Sequence, residues 1–370
     1  MIIKKQTKIY SSPTTKTVHV DEPKNSEYEI NANIYIINDY DNYLKFDFSP
    51  VYKKKIYNTE LLLITNNDNP GDIYLWLDWH LNVIKFNHIV LIDNNNTPFL
   101  YDTCKKFNNI EYIHKPGILS QAAIYTEYVN NSNAQWVLPI DDDEYLYISD
   151  KFDNNINYYL CHLQLNKLMY KYAFNLHMMF ADHLKEHREC KNLFEDFPYE
   201  YVSTDEIRNN AFNVIKTIVN TDIKHYYPSE NGTKNIIFMN DPRLWFDKPV
   251  PFFKKITIDN IGTFHNPISK IDDSYFFPAY NENDNYLYHG FFCIHKNDLI
   301  SNNACIYHFR YKSKAEWYKK VQRFNFNSTD KTFLSDNYQN DKIDYVYNFI
   351  NKKTVYNNIL INTYANKTKN

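Results

Sequence analysis

Glycine is scarce in this chain: only five occur in 370 residues, and no two fall close enough to build GxGxxG or a Walker loop. The usual backbone cradles for phosphate are therefore missing, and a phosphate-bearing ligand would need a metal ion and cationic side chains instead. Basic charge is scarce as well. The formal net charge is -3, and the densest basic cluster is Lys53-Lys54-Lys55. Nucleic-acid binding leaves a basic footprint that this composition lacks, so no nucleic-acid partner is expected. The five cysteines, Cys104, Cys161, Cys190, Cys293 and Cys305, include no CxxC pair. Such a scattered set argues for reduced thiols and against a zinc ribbon or a disulfide framework. The N-terminal Met1-Ile2-Ile3-Lys4-Lys5-Gln6 opens no apolar stretch of signal-peptide length, and no window reaches transmembrane length. The expectation is a soluble, cytoplasmic protein, in the host cytoplasm if the source is viral.

Aromatic residues are abundant: 17% of the chain, with 34 Tyr and 25 Phe. Together with 44% hydrophobic residues they supply ample core, which excludes a disordered chain. The excess of Asn, Lys, Ile and Tyr looks like the coding bias of an AT-rich genome, as in a parasite, a low-GC bacterium or a large DNA virus. The length suits one large α/β domain with decorations, or two domains.

Strand and helix signals alternate from residue 60 onward. Glu60 to Thr65 is a short apolar run of the kind buried on both faces of a sheet. Asp72 is placed to cap a helix whose stripe is Ile73, Trp76, Leu77, His80, Leu81 and Ile84. Strands follow at 88–92, 110–113 and 136–140, with helices over 97–107 and 120–129 between them. This β-α-β-α-β-α-β order predicts an α/β fold with a doubly wound, mostly parallel central sheet. Further strands are expected at 213–219 and 304–309, and Ser313-Lys314-Ala315-Glu316 forms a capping box for a helix through Phe324. The division expected is a strand-rich extension over 1–55, the main domain over 56–330 and a helical tail over 331–370.

The most informative run is Ile140-Asp141-Asp142-Asp143-Glu144-Tyr145-Leu146. Its carboxylates sit where a buried strand ends, which is where open α/β sheets place their ligand crevice. Acidic side chains at i and i+2 there suit a hard divalent cation such as Mg²⁺ or Mn²⁺, whose customer would be a phosphate or pyrophosphate. A bare DxD is most often a solvated acidic turn; the strand in front and the surrounding motifs argue otherwise here.

Four segments in order carry a resemblance. They are Leu75-Trp76-Leu77-Asp78-Trp79-His80, then His88-Ile89-Val90-Leu91-Ile92-Asp93-Asn94, then Gln121 with Trp136 through Leu146, and finally Tyr307-His308-Phe309-Arg310-Tyr311-Lys312-Ser313-Lys314-Ala315-Glu316-Trp317, continued by Lys319, Lys320 and Arg323. The series resembles glycosyltransferases of the GT-A fold, of the family 2 and family 92 type, over about residues 59–325. Val83-Ile84-Lys85-Phe86 departs from the family's usual glycine, and Asn94-Asn95-Asn96-Thr97 departs from its usual Asn-x-Ser-x-Asp.

The resemblance implies a GT-A-like sheet with α+β additions on the acceptor side. It also implies a hexosyltransferase-type enzyme that needs Mn²⁺ or Mg²⁺ and moves a sugar from a nucleoside-diphosphate sugar, UDP-sugar favoured, to a hydroxyl of a glycan, protein or small molecule with inversion. In that reading Thr65, Asn66, Asp93, Gln121, Asp141, Asp142, Arg310 and Lys312 bind the donor, and Asp141, Asp143 and His308 hold the metal. Asp182, Glu195 and Asp241 are candidates for the base. Asp93 reads equally as a plain cap of the loop after its strand, His80 reads as a hydrogen-bonded core histidine, and His265 is a second metal or acceptor candidate. Two other classes stay open: a metal-dependent phosphohydrolase, and a degenerate carbohydrate-binding scaffold that has kept the fold.

Overall fold

The structure is a computed structural model. It describes residues 53–117, 119–166, 170–189, 192–201, 215–227, 303–327, 343–344, 346–348 and 354–368, with short strand pieces between 17 and 33 and between 237 and 287. Cys190, Asp241, His265 and Cys293 lie outside the described residues, as does most of the expected 1–55 extension.

Four parallel strands form the centre: β1 (Tyr57–Thr65), β2 (His88–Asp93), β3 (Ile110–His114) and β4 (Ala134–Pro139). Their order across the sheet is β3-β2-β1-β4. The apolar runs are continuous because both faces are covered. Leu61, Leu63, Ile89 and Leu91 point into one core layer, and Leu62, Val90 and Ile92 point into the other. Helix α1 (Pro70–Asp78) and the π turn Trp79–Val83 cover the first layer. Short α2 (Tyr101–Cys104) follows β2, and α3 (Gln121–Asn131) covers the second layer with Ala122, Ile124, Tyr125 and Val129. This is a mixed α/β fold with a doubly wound, mostly parallel central sheet.

Strand order reverses at β1: the chain steps to β2 and β3 on one side, then returns to β4 on the other. Open α/β sheets hold their ligands outside the carboxyl ends of strands at such a switch point. Thr65 ends β1, and Asp141 to Asp143 follow the end of β4.

After the acidic turn comes β5 (Glu144–Ile148), then α4 (Ile156–Asn166) and the ten-residue β6 (Lys171–Phe180). Strand β7 (Ile215–Asn220) runs antiparallel between β4 and β6. Strand β8 (Ala304–His308) pairs antiparallel with β5, setting His308 opposite Glu144, and parallel with β6. Helix α5 (Lys314–Asn327) then starts at the expected capping box, where Glu316 accepts from the Ser313 N–H at 3.2 Å and its hydroxyl at 2.6 Å. The tail adds a strand as well as a helix: β9 (Thr354–Tyr356) pairs with Tyr199–Tyr201, and α6 (Ile359–Thr368) follows.

The cap of α1 is Asn69, whose side chain accepts from Gly71 N–H, and not Asp72. Pro70 can open a helix, since its missing N–H would lack a partner in the first turn anyway. Asp72 is left free to turn inward. Cys104 and Cys305 are buried thiols and Cys161 an exposed one. Among the described residues no helix is long and apolar enough to cross a membrane.

Candidate functional site

The acidic turn is held from above by helix α1. The Trp76 indole N–H reaches the backbone oxygens of Asp141 and Glu144, at 3.1 and 2.9 Å, and so ties the two ends of the turn together. Trp79 donates to Leu146 O at 2.7 Å. His80 spans the same gap, with Nδ1 at 2.8 Å from Trp76 O and Nε2 accepting from Leu146 N–H at 3.2 Å. That pattern requires the neutral imidazole, and burial pushes the His80 pKa down to about 3 despite the Trp76 carbonyl. The core-histidine reading of His80 therefore describes its bonds. The Trp-x-x-Trp-His spacing puts all three rings on one helical face, against β5.

Three of the four carboxylates of the turn meet a lysine directly. Asp141 accepts from Lys216 Nζ at 3.0 Å and from Gln121 Nε2 at 3.2 Å. The Lys216 side chain is fully buried and also lies 3.2 Å from Glu144. Burial alone would lower its pKa, but Asp141 and Glu144 raise it further than burial lowers it. Half-buried Asp142 accepts from the Thr65 hydroxyl, which in turn accepts from Asn67 N–H at 2.9 Å. Burial and neighbouring Asp143 push the Asp142 carboxyl up. Asp143 is buried and bonded by Lys320, with His308 Nε2 at 3.3 Å on its other oxygen. Burial would raise Asp143, but Lys320 and His308 hold it well below the usual carboxylate range.

Lys312 sits one step away, 3.0 Å from Asp72 and close enough to act on Asp142. Arg188 grips Asp72 through both carboxylate oxygens, at 2.8 and 2.5 Å, and Glu316 through Nε at 2.7 Å. Beside this network lies a cavity of about 630 Å³, lined among others by Asn69, Asp72, His187, Arg188, Glu316 and Lys319.

The residues expected at the site divide clearly. Thr65, Gln121, Asp141, Asp142, Asp143, Lys312 and His308 converge on the turn. Asn66 is half-buried just past the end of β1. Asp93 is fully buried and spent on its own loop, accepting from Asn95 N–H at 3.0 Å, Leu100 N–H at 3.1 Å and Tyr112 OH at 2.7 Å. Its bonds are those of the loop cap. Arg310 is exposed, its guanidinium 5.7 Å from the Tyr311 ring. Of the candidate bases, exposed Asp182 has His183 at 2.6 Å, and exposed Glu195 has Asn192 at 3.3 Å.

Lys216, Lys320 and Glu144 belong to the site without having been assigned to it from the sequence. Lys216 had a signal: it is the one charged side chain in a strand that is otherwise apolar or neutral, and a buried ammonium demands a carboxylate. Glu144 belonged to the acidic run without a role of its own.

Part of this donor set suits a divalent cation. His308 Nδ1 and Glu144 Oε1 are both buried without a hydrogen-bond partner and face each other at 3.9 Å. A metal-binding histidine commonly turns its second ring nitrogen to a carboxylate in this way. Asp143 and His308 therefore fit a cation, with Glu144 behind the imidazole. Asp141 is turned to Lys216 and Gln121 instead, and among the described residues no three His, Cys, Asp or Glu side chains form a ready cage. Mg²⁺ commonly takes one or two protein ligands and completes its shell with substrate phosphates.

No family model matches the chain, and no curated protein matches it. Among solved structures it is similar to the 4-diphosphocytidyl-2C-methyl-D-erythritol synthase of Anaerococcus prevotii DSM 20548, at 12% identity and a TM-score of 0.26, over 45% of this chain and 70% of that one. It is also similar to HddC from Yersinia pseudotuberculosis, at 13% identity and a TM-score of 0.23, over 34% of this chain and 59% of that one. Overlap this loose fixes neither the fold nor the chemistry of this chain.

Proposed function

We propose that this chain is a glycosyltransferase that takes a sugar from a nucleoside-diphosphate donor, UDP-sugar favoured, and passes it with inversion to a hydroxyl acceptor. The observation that carries the reading is the placement of Asp141 to Glu144 at the sheet's switch point, with lysines converging on them from later segments. A crevice that pairs buried carboxylates with ammonium groups suits a ligand that brings its own phosphates and cation.

In this reading Asp143 and His308 hold Mn²⁺ or Mg²⁺, Glu144 orients the imidazole, and Thr65 fixes Asp142 at the crevice floor. The metal, when bound, supplies Lewis-acid stabilisation of the departing diphosphate. Gln121 and Lys216 hold the two oxygens of Asp141 at the edge of the donor crevice. The acceptor hydroxyl would bond to the anomeric carbon and give its proton to a carboxylate base as the sugar–oxygen bond breaks, whose electron pair goes to the diphosphate, where Lys312 and Lys320 are preplaced cations. The cavity beside Arg188 receives the acceptor. Its walls mix carboxylate acceptors with N–H donors, as a polyhydroxylated ligand requires.

The test is the thermal shift of the protein with UDP, GDP, CDP and their sugars, with and without Mn²⁺, beside Asp143→Ala. Ligands that bind the native state raise the melting temperature by mass action. The expected result is a Mn²⁺-dependent shift with one base, lost in Asp143→Ala. A wild-type protein that shifts with no nucleotide sinks the proposal.

A further inference from the structure

Three lysines face the acidic turn, and they differ in freedom. The side chain of Lys216 is 0% exposed and wedged between two carboxylates. That of Lys312 is 11% exposed and bonded to Asp72. That of Lys320 is 33% exposed and reaches Asp143 from the second turn of α5. A lysine is a compact charge on a flexible four-carbon stem, so a partly exposed one can swing without disturbing the helix.

We infer that Lys320 is a tethered counter-ion that competes with the divalent cation for Asp143 and moves onto the donor's diphosphate when the cation arrives. The inference rests on the donor reading above. Asp143 has a side chain only 5% exposed, and a carboxylate so buried cannot stand uncompensated. Before the donor binds, the Lys320 ammonium occupies one carboxylate oxygen while His308 faces the other. A divalent cation on the same carboxylate would lie against a like charge, so the ammonium leaves.

The charge count balances. A nucleoside-diphosphate sugar carries two negative charges on its diphosphate and the metal two positive ones, so the pair enters as a neutral unit. Asp143 exchanges one cation for another, and Lys320 passes to the phosphate oxygens. Departure of the sugar with inversion leaves one further negative charge on the diphosphate, which the displaced ammonium is then placed to meet. Lys216 cannot take this part, because moving it would strip Asp141 and Glu144 together.

The test separates metal binding from nucleotide binding. Mn²⁺ alone is titrated by electron paramagnetic resonance into wild type, Lys320→Met and Lys320→Arg, and then UDP is titrated with Mn²⁺ saturating. Loss of one charged hydrogen bond that competes for Asp143 should tighten Mn²⁺ binding at least about fivefold in Lys320→Met, while UDP binding weakens about tenfold. Lys320→Arg should keep Mn²⁺ binding near the wild-type value. Methionine is a good helix former, and Lys320→Gln, which is another, repeats the measurement if the first variant does not fold. Unchanged or weaker Mn²⁺ binding in both neutral variants overturns the inference, and so does UDP binding that survives them intact. A wild type that binds Mn²⁺ but no nucleotide removes the donor reading and with it the destination of Lys320, while the Mn²⁺ titration still decides the competition.

Discussion

Residues 57–148 supply the acidic side of the site, whereas the lysines that meet it come from β7, from the segment after β8 and from α5. The two regions are built differently. The acidic turn is rigid, pinned at both ends by one indole and backed by a sheet buried on both faces. The cationic region is graded, from a fully enclosed ammonium to one that is a third exposed. A fixed template of negative charge faced by cations of unequal mobility separates what must not move from what must.

The sharpest way to break that contrast is to delete the two lysines separately. Lys216→Met leaves Asp141 and Glu144 facing each other in a buried site, and loss of one partner there costs about 3–5 kcal/mol. Lys320→Met removes a partner that is a third exposed and leaves buried Asp143 with His308 on its other oxygen, so the loss should be smaller, about 1–3 kcal/mol. Urea unfolding of the two variants side by side checks the difference, and equal losses would show that the two ammonium groups are held alike.

Trp76→Phe keeps the apolar ring but removes the donor that joins Asp141 O to Glu144 O. Leaving buried carbonyls short of a partner should cost about 1–3 kcal/mol. Donor affinity should fall with it, because the turn loses its clamp, and unfolding with UDP titration measures both.

The smallest effect expected concerns acidity. The unfolded His80 takes a proton near its ordinary pKa of 6.5, whereas the folded one refuses it until about 3. The unfolded state therefore binds more protons in that window, and stability falls as the pH drops below 6.5 toward 3. By pH 5.5 the loss should be about 1 kcal/mol. The pH dependence of the unfolding free energy should flatten over that range in His80→Gln; an unchanged slope would detach the effect from this imidazole.

The first half of the fold was legible because its strands are unbroken apolar runs and its helices carry striped faces. Leu61-Leu62-Leu63 and Val90-Leu91-Ile92 announce burial on both faces, and Ser313 with Glu316 announces a helix start. Strand β6 was not legible: Lys171-Tyr172-Ala173-Phe174-Asn175-Leu176-His177 has neither clean alternation nor an apolar run, since its polar members are paired by tertiary contacts such as that of Lys171 to Pro267 O at 2.7 Å. The carboxylates of the site could be read because they are contiguous. Their cations could not, because Lys216 lies 75 residues from Asp141 and Lys320 lies 177 from Asp143, and only the tertiary fold brings them together. Arg310, assigned to the diphosphate by motif position, sits on Tyr311, and the cation bonded to the turn from this stretch is Lys320, one and a half helical turns into α5.

The tail has a bearing on how the protein is made. Tyr364 donates to Asp78 at 2.7 Å across 286 residues, and its ring lies 6.3 Å from that of Trp79, the residue that fastens β5. Domains emerge from the ribosome N-terminal end first. Asp78 thus leaves the ribosome 286 residues ahead of Tyr364, an interval in which Trp79 depends on Tyr145 and Phe194 for its aromatic cover.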